Sequence, residues 1–590
     1  MASSTDLVSS LSSGANRGTK LDAAEVRALV KAAGLSISDS AIEDWRVLLG
    51  SFEDCAQLVL QEDGCLPIPD PDRYVRTDIQ IPENTEKGGW ATRCSVKSTA
   101  PTSALLAGRT VAVKDNIAVA GVRCTNGLPP VNGEWIPTYD ATIVTRVLDA
   151  GGIVTGKAAC ENACMEPISN TSYTGVVHNP FADGYTCGGS SSGSGRLVAI
   201  GAADMALGAD QGGYVFVLSK PPRRSHQGNL VIMQEEYRSI RIPAAFCGIV
   251  GHKPTWGLVP YTGILGLQSV IDHTGPMTTT VRDNARLLEA ISGPDGIDDR
   301  QPFSMAPESL RFSSALDEFL AAGATKPRDQ LLKGFKIGIL KEGFAGKQMD
   351  AHVAKACRSA ISDFKEMGAE IVEVSVPNHE QICVIWMCAL PLRAGREGLL
   401  GDTTGRKQLE LTDRGAAAAP AMGPSQKALL SQEFFDALGP GAQNLYMRYL
   451  YVNDKYGASL HAKCTNLLNK AAQAYDAALG FVDVLVMPTV PMPALPFLRG
   501  PNGTSGRSQA GPLESLSYPL GVLSNTAQFN STGHPALSLP VGFVPAPDNP
   551  DIKLPAGLQI VGKRFEDLTC YKVAGAWEES KDWKTLVFAE

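Results

Sequence analysis

Short apolar runs alternate along the chain with segments whose apolar residues recur at helical spacing. The apolar runs predict strands. They occupy residues 110–113, 153–155, 335–340, 371–376 and 482–487. Helical segments lie between these runs, as at 142–150 and in the stretch before Gly368. Such alternation is typical of a sheet that helices bury on both faces. The pattern therefore predicts an α/β fold with a mixed, mostly parallel central sheet.

The beginning of the chain has a different pattern, with two amphipathic helices and no strand. Asp22 and Glu25 have the spacing of a capping box. The second helix carries an apolar stripe from Ile42 to Ala56. We therefore predict a helical region over residues 1–85 and a large domain over residues 86–590. The apolar stripe has two interpretations, packing within the chain and assembly of a homodimer through these helices.

Composition and charge exclude several classes of protein. The net charge of −8 is spread along the chain, which disfavours binding to nucleic acid. The first twenty residues lack an apolar signal region, and no apolar window is long enough to span a membrane. The thirteen cysteines form no CxxC pair and no zinc-site spacing, so we expect reduced thiols in a cytoplasmic protein. We expect neither a metal nor another cofactor.

One lysine ends an apolar strand in the segment VAVKDNIAVAG, residues 111–121. Most lysines are solvated surface groups, but apolar residues on both sides would draw Lys114 inward. Burial disfavours an ammonium ion, so such a setting favours the neutral amine that can act as a base. Lys114 is therefore a candidate catalytic residue.

Two further segments combine glycine and serine in patterns that suit catalysis. The first is CGGSSSGSG, residues 187–195, whose hydroxyls and closely spaced N–H groups suit an anion or oxyanion site. The second is SIRIPAAFCGIVGHKPTWGLVPYTG, residues 239–263, which opens with a serine close to an arginine. Upstream of the second segment lies GADQGG, residues 208–213.

Together these segments resemble the amidase signature family, whose core reads GGSSxGSx followed by GxDxGGSIRxPAxxCGxxGxKPT. The C-terminal stretches 483–491, 525–543 and 554–567 also resemble blocks of that family. The variant GADQGG with IRIPAAFCGIVGHKPT is closest to the bacterial nitrile-pathway amidases. The resemblance covers nearly the whole chain and implies the amidase signature fold. It also implies hydrolysis of a small amide to a carboxylic acid and ammonia, with esters as further substrates of the same chemistry.

The resemblance implies a role for each matching residue. Ser239 would be the nucleophile that forms an acyl-enzyme, Ser190 would follow a cis peptide bond and relay the proton, and Lys114 would be the base. The resemblance also implies an oxyanion hole and a set of supporting residues. The backbone N–H groups of the oxyanion hole would come from Gln211, Gly212 and Gly213, and the supporting residues would be Ser191, Asp210 and Arg241.

This chain departs from the family within the catalytic loop. The family joins its two glycines directly to the nucleophile, whereas here the 25 residues from Tyr214 to Arg238 separate Gly213 from Ser239. Codons for Gly-Tyr-Val and Tyr-Arg can contain a fungal-type splice donor and an acceptor. We therefore hypothesise that residues 214–238 are a retained intron. If they are present in the protein, we expect the literal chain to be weak or inactive, because an oxyanion hole tolerates little displacement.

Four other interpretations remain to be weighed. The GxSxG match at 189–193 would make Ser191 the nucleophile of an α/β-hydrolase with His534, but no apolar strand precedes it. The GxxxxGK match at 151–157 lacks the following serine or threonine of a phosphate-binding loop. The fold also serves within ammonia-supplying amidotransferase complexes, as one of their subunits, and a catalytically inactive binding protein could keep it.

Overall fold

Strands and helices alternate in the computed structural model as the pattern predicts. The structure describes residues 21–59, 61, 66–82, 87–131, 133–210, 213–216, 234–237, 239–401, 430–498, 512–519, 521–522 and 524–589. The chain divides into two compact units, residues 1–67 with 422–429 and residues 68–421 with 430–590. This division differs from the predicted boundary at residue 85, because the segment after Pro67 contributes a strand to the large sheet.

The described strands form one large sheet and one small sheet. They are β1 (Tyr74–Gln80), β2 (Trp90–Ser98), β3 (Thr110–Lys114), β4 (Ile153–Ala158), β5 (Met205–Asp210), β6 (Gly213–Phe216), β7 (Gln234–Tyr237), β8 (Val250–Lys253), β9 (His273–Thr278), β10 (Lys336–Leu340), β11 (Glu370–Val374), β12 (Val484–Pro488), β13 (Ala536–Pro545) and β14 (Lys553–Gly562). The large sheet has the order β1-β2-β4-β3-β5-β9-β8-β13-β14-β12-β10-β11, and β6 pairs only with β7.

The large sheet is mixed, as predicted, but it is not mostly parallel. Four of its eleven described neighbouring pairs are parallel and seven are antiparallel. Antiparallel neighbours need no crossover helix, and β13 and β14 follow one another through a short connection. The predicted excess of parallel pairs is wrong because strands were expected only where helices separate them.

Helices cover the large sheet. They are α3 (Thr142–Asp149), α4 (Ser192–Ala199), α5 (Arg241–Cys247), α6 (Val281–Ile291), α7 (Phe312–Ala324), α8 (Ala351–Glu366), α9 (His379–Ala394), α10 (Gln432–Ala437), α11 (Pro440–Lys455), α12 (Gly457–Leu479), α13 (Pro512–Ser517), α14 (Ala527–Thr532) and α15 (Asp567–Glu578). Strands β5, β9 and β12 are buried at every residue, which requires cover on both faces. None of the described helices has the length and hydropathy needed to span a bilayer.

The N-terminal unit contains α1 (Ala23–Ala32) and α2 (Asp39–Val59). The predicted capping box is present, because the Asp22 side chain accepts from the N–H of Ala24 at 3.0 Å and Glu25 Oε2 accepts from the N–H of Asp22 at 2.9 Å. Within this unit Trp45 and Phe52 are exposed. Assembly of a homodimer through these helices stays a prediction.

Three neighbouring strands bring the candidate residues to one edge of the sheet. Strand β3 pairs in parallel with β5, so that Lys114 and Asp210 end their strands at the same edge. Strand β9 runs the other way and begins there, with His273 opposite Asp210. The apolar residues of β3 and β5 are buried in the core, which anchors this edge rigidly.

Candidate active site

Lys114 is buried at the end of β3, as its apolar flanks predict. Its side chain is 0 % exposed. The amino group donates hydrogen bonds to Ser190 Oγ at 2.8 Å and to the carbonyl oxygen of Ala209 at 3.0 Å. The lysine is thus held between the glycine- and serine-rich segment and the end of strand β5.

Ser190 lies in a tight turn that leads into α4. The Gly189–Ser190 peptide bond is cis. A Cβ atom at Gly189 would lie 2.1 Å from the carbonyl oxygen of Glu166, so only glycine fits there. The carbonyl oxygen of Ser190 accepts from the N–H of Glu161 at 3.1 Å. The close packing of Gly189 and the hydrogen bond to the carbonyl oxygen of Ser190 therefore fix the position of this turn.

Ser239 completes a continuous chain of polar groups. It lies two residues before α5 and is 0 % exposed. Its Oγ lies 2.5 Å from Ser190 Oγ, which in turn contacts Lys114. The structure thus brings together all three residues predicted as catalytic. A lysine, a relaying hydroxyl and a second hydroxyl in this order can transfer a proton away from the last oxygen and make it a nucleophile.

The predicted supporting residues lie immediately behind this chain. Ser191 Oγ donates to the carbonyl oxygen of Ala209 at 3.3 Å. Arg241 Nε donates to Asp210 Oδ2 at 3.3 Å, and both side chains are fully buried. A buried ion pair is stabilised only when further hydrogen bonds satisfy its remaining groups, so the neighbours of this pair matter.

Two amides that sequence reasoning missed supply those further bonds. Arg241 donates to Gln559 Oε1 at 2.7 Å and to Asn530 Oδ1 at 2.6 Å. Asn530 Nδ2 donates to Asp210 Oδ1 at 2.7 Å. Both amides lie in C-terminal blocks that carry the family resemblance. The signal that could have found one of them is an uncharged amide inside an apolar run, as in PAGLQIVG at 555–562.

The predicted oxyanion residues are only partly described. Gln211 and Gly212 lie outside the described residues, and Gly213 begins β6. Strand β6 pairs with β7 so that Gly213 is opposite Tyr237, two residues before Ser239. The two ends of the insertion, residues 214–238, therefore lie close together. Its β6 strand lies against α11 and α13, and β7 lies against α9.

The rival interpretation with Ser191 and His534 finds no geometric support. His534 Nδ1 contacts Thr532 Oγ1 at 2.9 Å, and its Nε2 contacts Asp476 Oδ1 at 3.1 Å. Ser191 instead donates to Ala209. In the described part of the chain, no group of three or more His, Cys, Asp or Glu side chains is arranged to hold a metal ion.

Glu161 is a buried carboxyl group next to the turn at Gly189 and Ser190. It accepts from Ser192 Oγ at 2.7 Å, from Thr171 Oγ1 at 2.7 Å and from the Thr171 N–H at 2.7 Å. Burial raises the pKa of Glu161 from 4.5 to about 7, although these hydrogen bonds oppose the shift. A neutral acid keeps all three contacts if it donates its own proton to Ser192 Oγ.

Substitution of Glu161 with glutamine is expected to flatten the pH dependence of stability. The folded state holds a proton on Glu161 between pH 4.5 and 7 that the unfolded chain releases, so wild-type stability falls as pH rises through this window and then stays low. Glu161→Gln keeps the neutral hydrogen-bonding pattern. At pH 8 we expect its free energy of unfolding to exceed that of the wild type by about 3 kcal/mol.

Urea unfolding at pH 5 and pH 8 measures this difference. The exposed Glu433 provides a matched control. For Glu433→Gln we expect the free energy of unfolding to change between pH 5 and pH 8 by the same amount as in the wild type. If the free energy of unfolding changed equally between pH 5 and pH 8 in Glu161→Gln and in the wild type, Glu161 would be ionised in the folded protein at both pH values.

Comparisons with known proteins identify the family and the fold of the chain. A family model described as Amidase matches residues 89–216 and 238–571, and it leaves out residues 217–237 of the predicted insertion. An enantioselective amidase of Rhodococcus rhodochrous is 35% identical over 466 residues, which cover 78% of this chain and 77% of that protein. The A subunit of glutamyl-tRNA(Gln) amidotransferase from Synechococcus sp. strain CC9902 is 31% identical over 478 residues, covering 81% and 83%.

A solved structure has the same fold. The native peptide amidase from Stenotrophomonas maltophilia superimposes with a TM-score of 0.56 at 24% identity, covering 80% of this chain and 83% of that one. At this identity the likeness shows the fold alone. The fold predicted from the glycine- and serine-rich core is thereby confirmed.

Proposed function

The chain belongs to the amidase signature family, and we propose that it hydrolyses a small carboxylic amide to a carboxylate and ammonia. The observation that carries the proposal is the unbroken contact from Lys114 through Ser190 to Ser239, with distances of 2.8 and 2.5 Å. Among the described residues, no histidine takes part in this chain of contacts. The Ser–Ser–Lys arrangement replaces the histidine of the commoner serine hydrolases.

The first half of the reaction would form an acyl-enzyme. In this step Lys114 Nζ accepts the proton of Ser190 Oγ, which takes the proton of Ser239 Oγ, and Ser239 attacks the amide carbon. The negative charge develops on the former carbonyl oxygen, and backbone N–H groups of Gln211, Gly212 and Gly213 would stabilise it. When the C–N bond breaks, the same relay returns a proton from Lys114 to the leaving nitrogen, and ammonia departs.

The second half would release the acid. Water gives a proton to the relay, attacks the acyl carbon and displaces Ser239, which takes its proton back. Burial of all three side chains keeps bulk water from competing for these protons. The amidase name of the Rhodococcus relative favours amides as substrates, while esters could use the same acyl-enzyme chemistry.

A role as the ammonia-supplying component of an amidotransferase complex is the second candidate. It is favoured by the 31% identity to the A subunit of such an enzyme over most of both chains. The higher identity to an enantioselective amidase favours the first candidate. Hydrolysis by the purified chain alone distinguishes the two, because one component of a complex would need its partner.

A cavity beside the catalytic turn is the proposed route for the substrate. It has a volume of about 320 Å³. Its walls include Asn162, Glu166 and Thr171, and these come from the segment that contacts Gly189 and Ser190. We therefore propose that the amide reaches Ser239 along this side.

A screen of aliphatic and aromatic primary amides tests the proposed function. We expect release of ammonia in equal amount to the carboxylic acid, together with labelling of Ser239 by a fluorophosphonate. The screen uses the full chain and a variant that lacks residues 214–238, because the insertion lies beside the nucleophile. Absence of both ammonia release and labelling in both proteins would favour an inactive binding protein instead.

A further inference from the structure

Lys157 is a second buried lysine in the strands that lead to the triad. It ends the GxxxxGK match at 151–157, a motif that the proposed function leaves unused. It lies on β4, which runs parallel to β3 with Val113 opposite Lys157 and Lys114 opposite Ala158. The Lys157 side chain is 0 % exposed. A buried ammonium is stable only beside a compensating charge, so the partner of Lys157 indicates its role.

That partner is Asp115, the residue that follows Lys114 along the chain. Lys157 Nζ lies 3.3 Å from Asp115 Oδ1, and the Asp115 side chain is 1 % exposed. Within the described ranges no hydrogen-bond donor satisfies Asp115 Oδ1, so the ammonium of Lys157 is the group that compensates it. The backbone N–H of Asp115 donates to the carbonyl oxygen of Ala158 at 2.9 Å. Asp115 is thus attached to β4 through both its backbone and its side chain.

The other carboxylate oxygen of Asp115 holds a loop that packs toward the second member of the triad. Asp115 Oδ2 accepts from the N–H of Thr125 at 3.1 Å and from Thr125 Oγ1. A Cβ atom at Gly127, in the same loop, would lie 2.5 Å from the carbonyl oxygen of Glu161. The N–H of Glu161 in turn donates to the carbonyl oxygen of Ser190. Asp115 therefore connects the end of β3 to the turn that carries Ser190.

The contact between Lys114 and Ser190 depends on where these two backbones lie. Lys114 Nζ and Ser190 Oγ are 2.8 Å apart, and a base must lie within hydrogen-bond distance of the proton that it accepts. An ion pair between two fully buried groups has few alternative arrangements, because either charge without its partner is costly in the interior. Such a pair suits a strand end that has to stay in place.

We propose that Lys157 and Asp115 are a positioning pair, which holds the end of β3 so that Lys114 Nζ stays within hydrogen-bond distance of Ser190 Oγ. This inference rests on the proposed function. Neither member of the pair takes a proton or contacts the substrate in the proposed cycle. Both act through the backbone of Lys114 and through the loop at Thr125.

Three variants separate the position of Lys114 from the stability of the fold. Asp115→Asn keeps the size and an acceptor for Thr125 but loses the negative charge, and Lys157→Met removes the ammonium. Each leaves one buried charge unpaired, so we expect a lower Tm, whereas the double variant leaves none and should recover most of that loss. In all three we expect kcat for amide hydrolysis and the rate of fluorophosphonate labelling of Ser239 to fall about tenfold per folded enzyme, with KM unchanged.

Arg76→Met is the matched control, because Arg76 and Asp140 form another ion pair of low exposure, between β1 and the loop before α3. Their side chains are 14 % and 1 % exposed. We expect this variant to lower Tm while labelling of Ser239 stays within about twofold of the wild type. Two results overturn the inference: wild-type labelling in Asp115→Asn and Lys157→Met, or recovery of labelling together with Tm in the double variant.

Crystal structures of the wild type and of Lys157→Met decide the inference without any activity. We expect the distance between Lys114 Nζ and Ser190 Oγ to exceed about 3.5 Å in the variant, and a retained hydrogen bond overturns the inference. If the wild type neither releases ammonia nor is labelled, the proposed function has failed, and this distance alone decides whether the pair positions Lys114. If Lys157→Met does not fold, the double variant takes its place in this comparison.

Discussion

Replacing Lys114 with methionine is expected to lower kcat/KM for amide hydrolysis by on the order of 10⁴-fold. Among the described residues, Lys114 is the one basic side chain in the chain of contacts that leads to Ser239. Without its amine, neither serine proton has an acceptor. Methionine keeps the length and the apolar stem, so the variant retains the packing of β3. Initial rates of ammonia release measure the loss, and thermal unfolding confirms that the variant is folded.

The control for this experiment is a serine of the same glycine-rich run that lies outside the triad. Ser194 is buried in α4 and its Oγ donates to the carbonyl oxygen of Leu207 at 3.2 Å. Ser194→Ala is expected to keep kcat/KM within about threefold of the wild type. Full activity in Lys114→Met would rule out the lysine as base and would revive an enzyme built on Ser191 and a histidine.

Deleting the 25 residues Tyr214–Arg238 is expected to raise amidase activity by about 10²-fold or more. Each oxyanion donor is worth about 10²–10³ in rate, and the insertion begins directly after the glycines that would supply those donors. Because Gly213 and Tyr237 are paired, the ends that the deletion must join are already close in space. The deletion also removes strands that lie against α9, α11 and α13.

The deletion variant is compared with the full chain at equal folded concentration, using ammonia release. A second version that also carries Ser239→Ala serves as the background and is expected to be inactive. Equal or lower activity after the deletion would show that the insertion belongs to the functional site. Sequencing of cDNA gives an independent answer, since a main transcript with all 25 codons removes the retained-intron hypothesis.

Local pattern is a good guide to strands but a poor guide to how they pair. The apolar run at 110–113 forms β3, and the run at 482–487 forms most of β12, since buried strands need continuous apolar side chains. Strands β13 and β14 lie in blocks that only the family resemblance singles out. Their direction depends on partners that are remote along the chain, such as β8 with β13. That information is tertiary, and no local periodicity contains it.

In the candidate site, too, local motifs could be predicted from the sequence, whereas contacts between remote segments could not. Lys114, Ser190 and Ser239 could be predicted because each lies in a motif with its own local character. Glu161 could not, because nothing in its neighbours along the sequence indicates that its backbone N–H donates to the carbonyl oxygen of Ser190. Asn530 was missed for a related reason, since its partner Asp210 is 320 residues away.

The bonds from Arg241 to Asn530 and Gln559 have a consequence for the order in which the protein matures during translation. Domains form as the chain leaves the ribosome, N-terminal parts first. Lys114, Ser190 and Ser239 emerge early, yet the guanidinium of Arg241 gains its last partner, Gln559, 318 residues later. A nascent or prematurely terminated chain therefore carries the triad without the brace that holds it. If the proposed function is correct, we therefore expect hydrolytic activity to arise only near the end of synthesis and incomplete chains to be inactive.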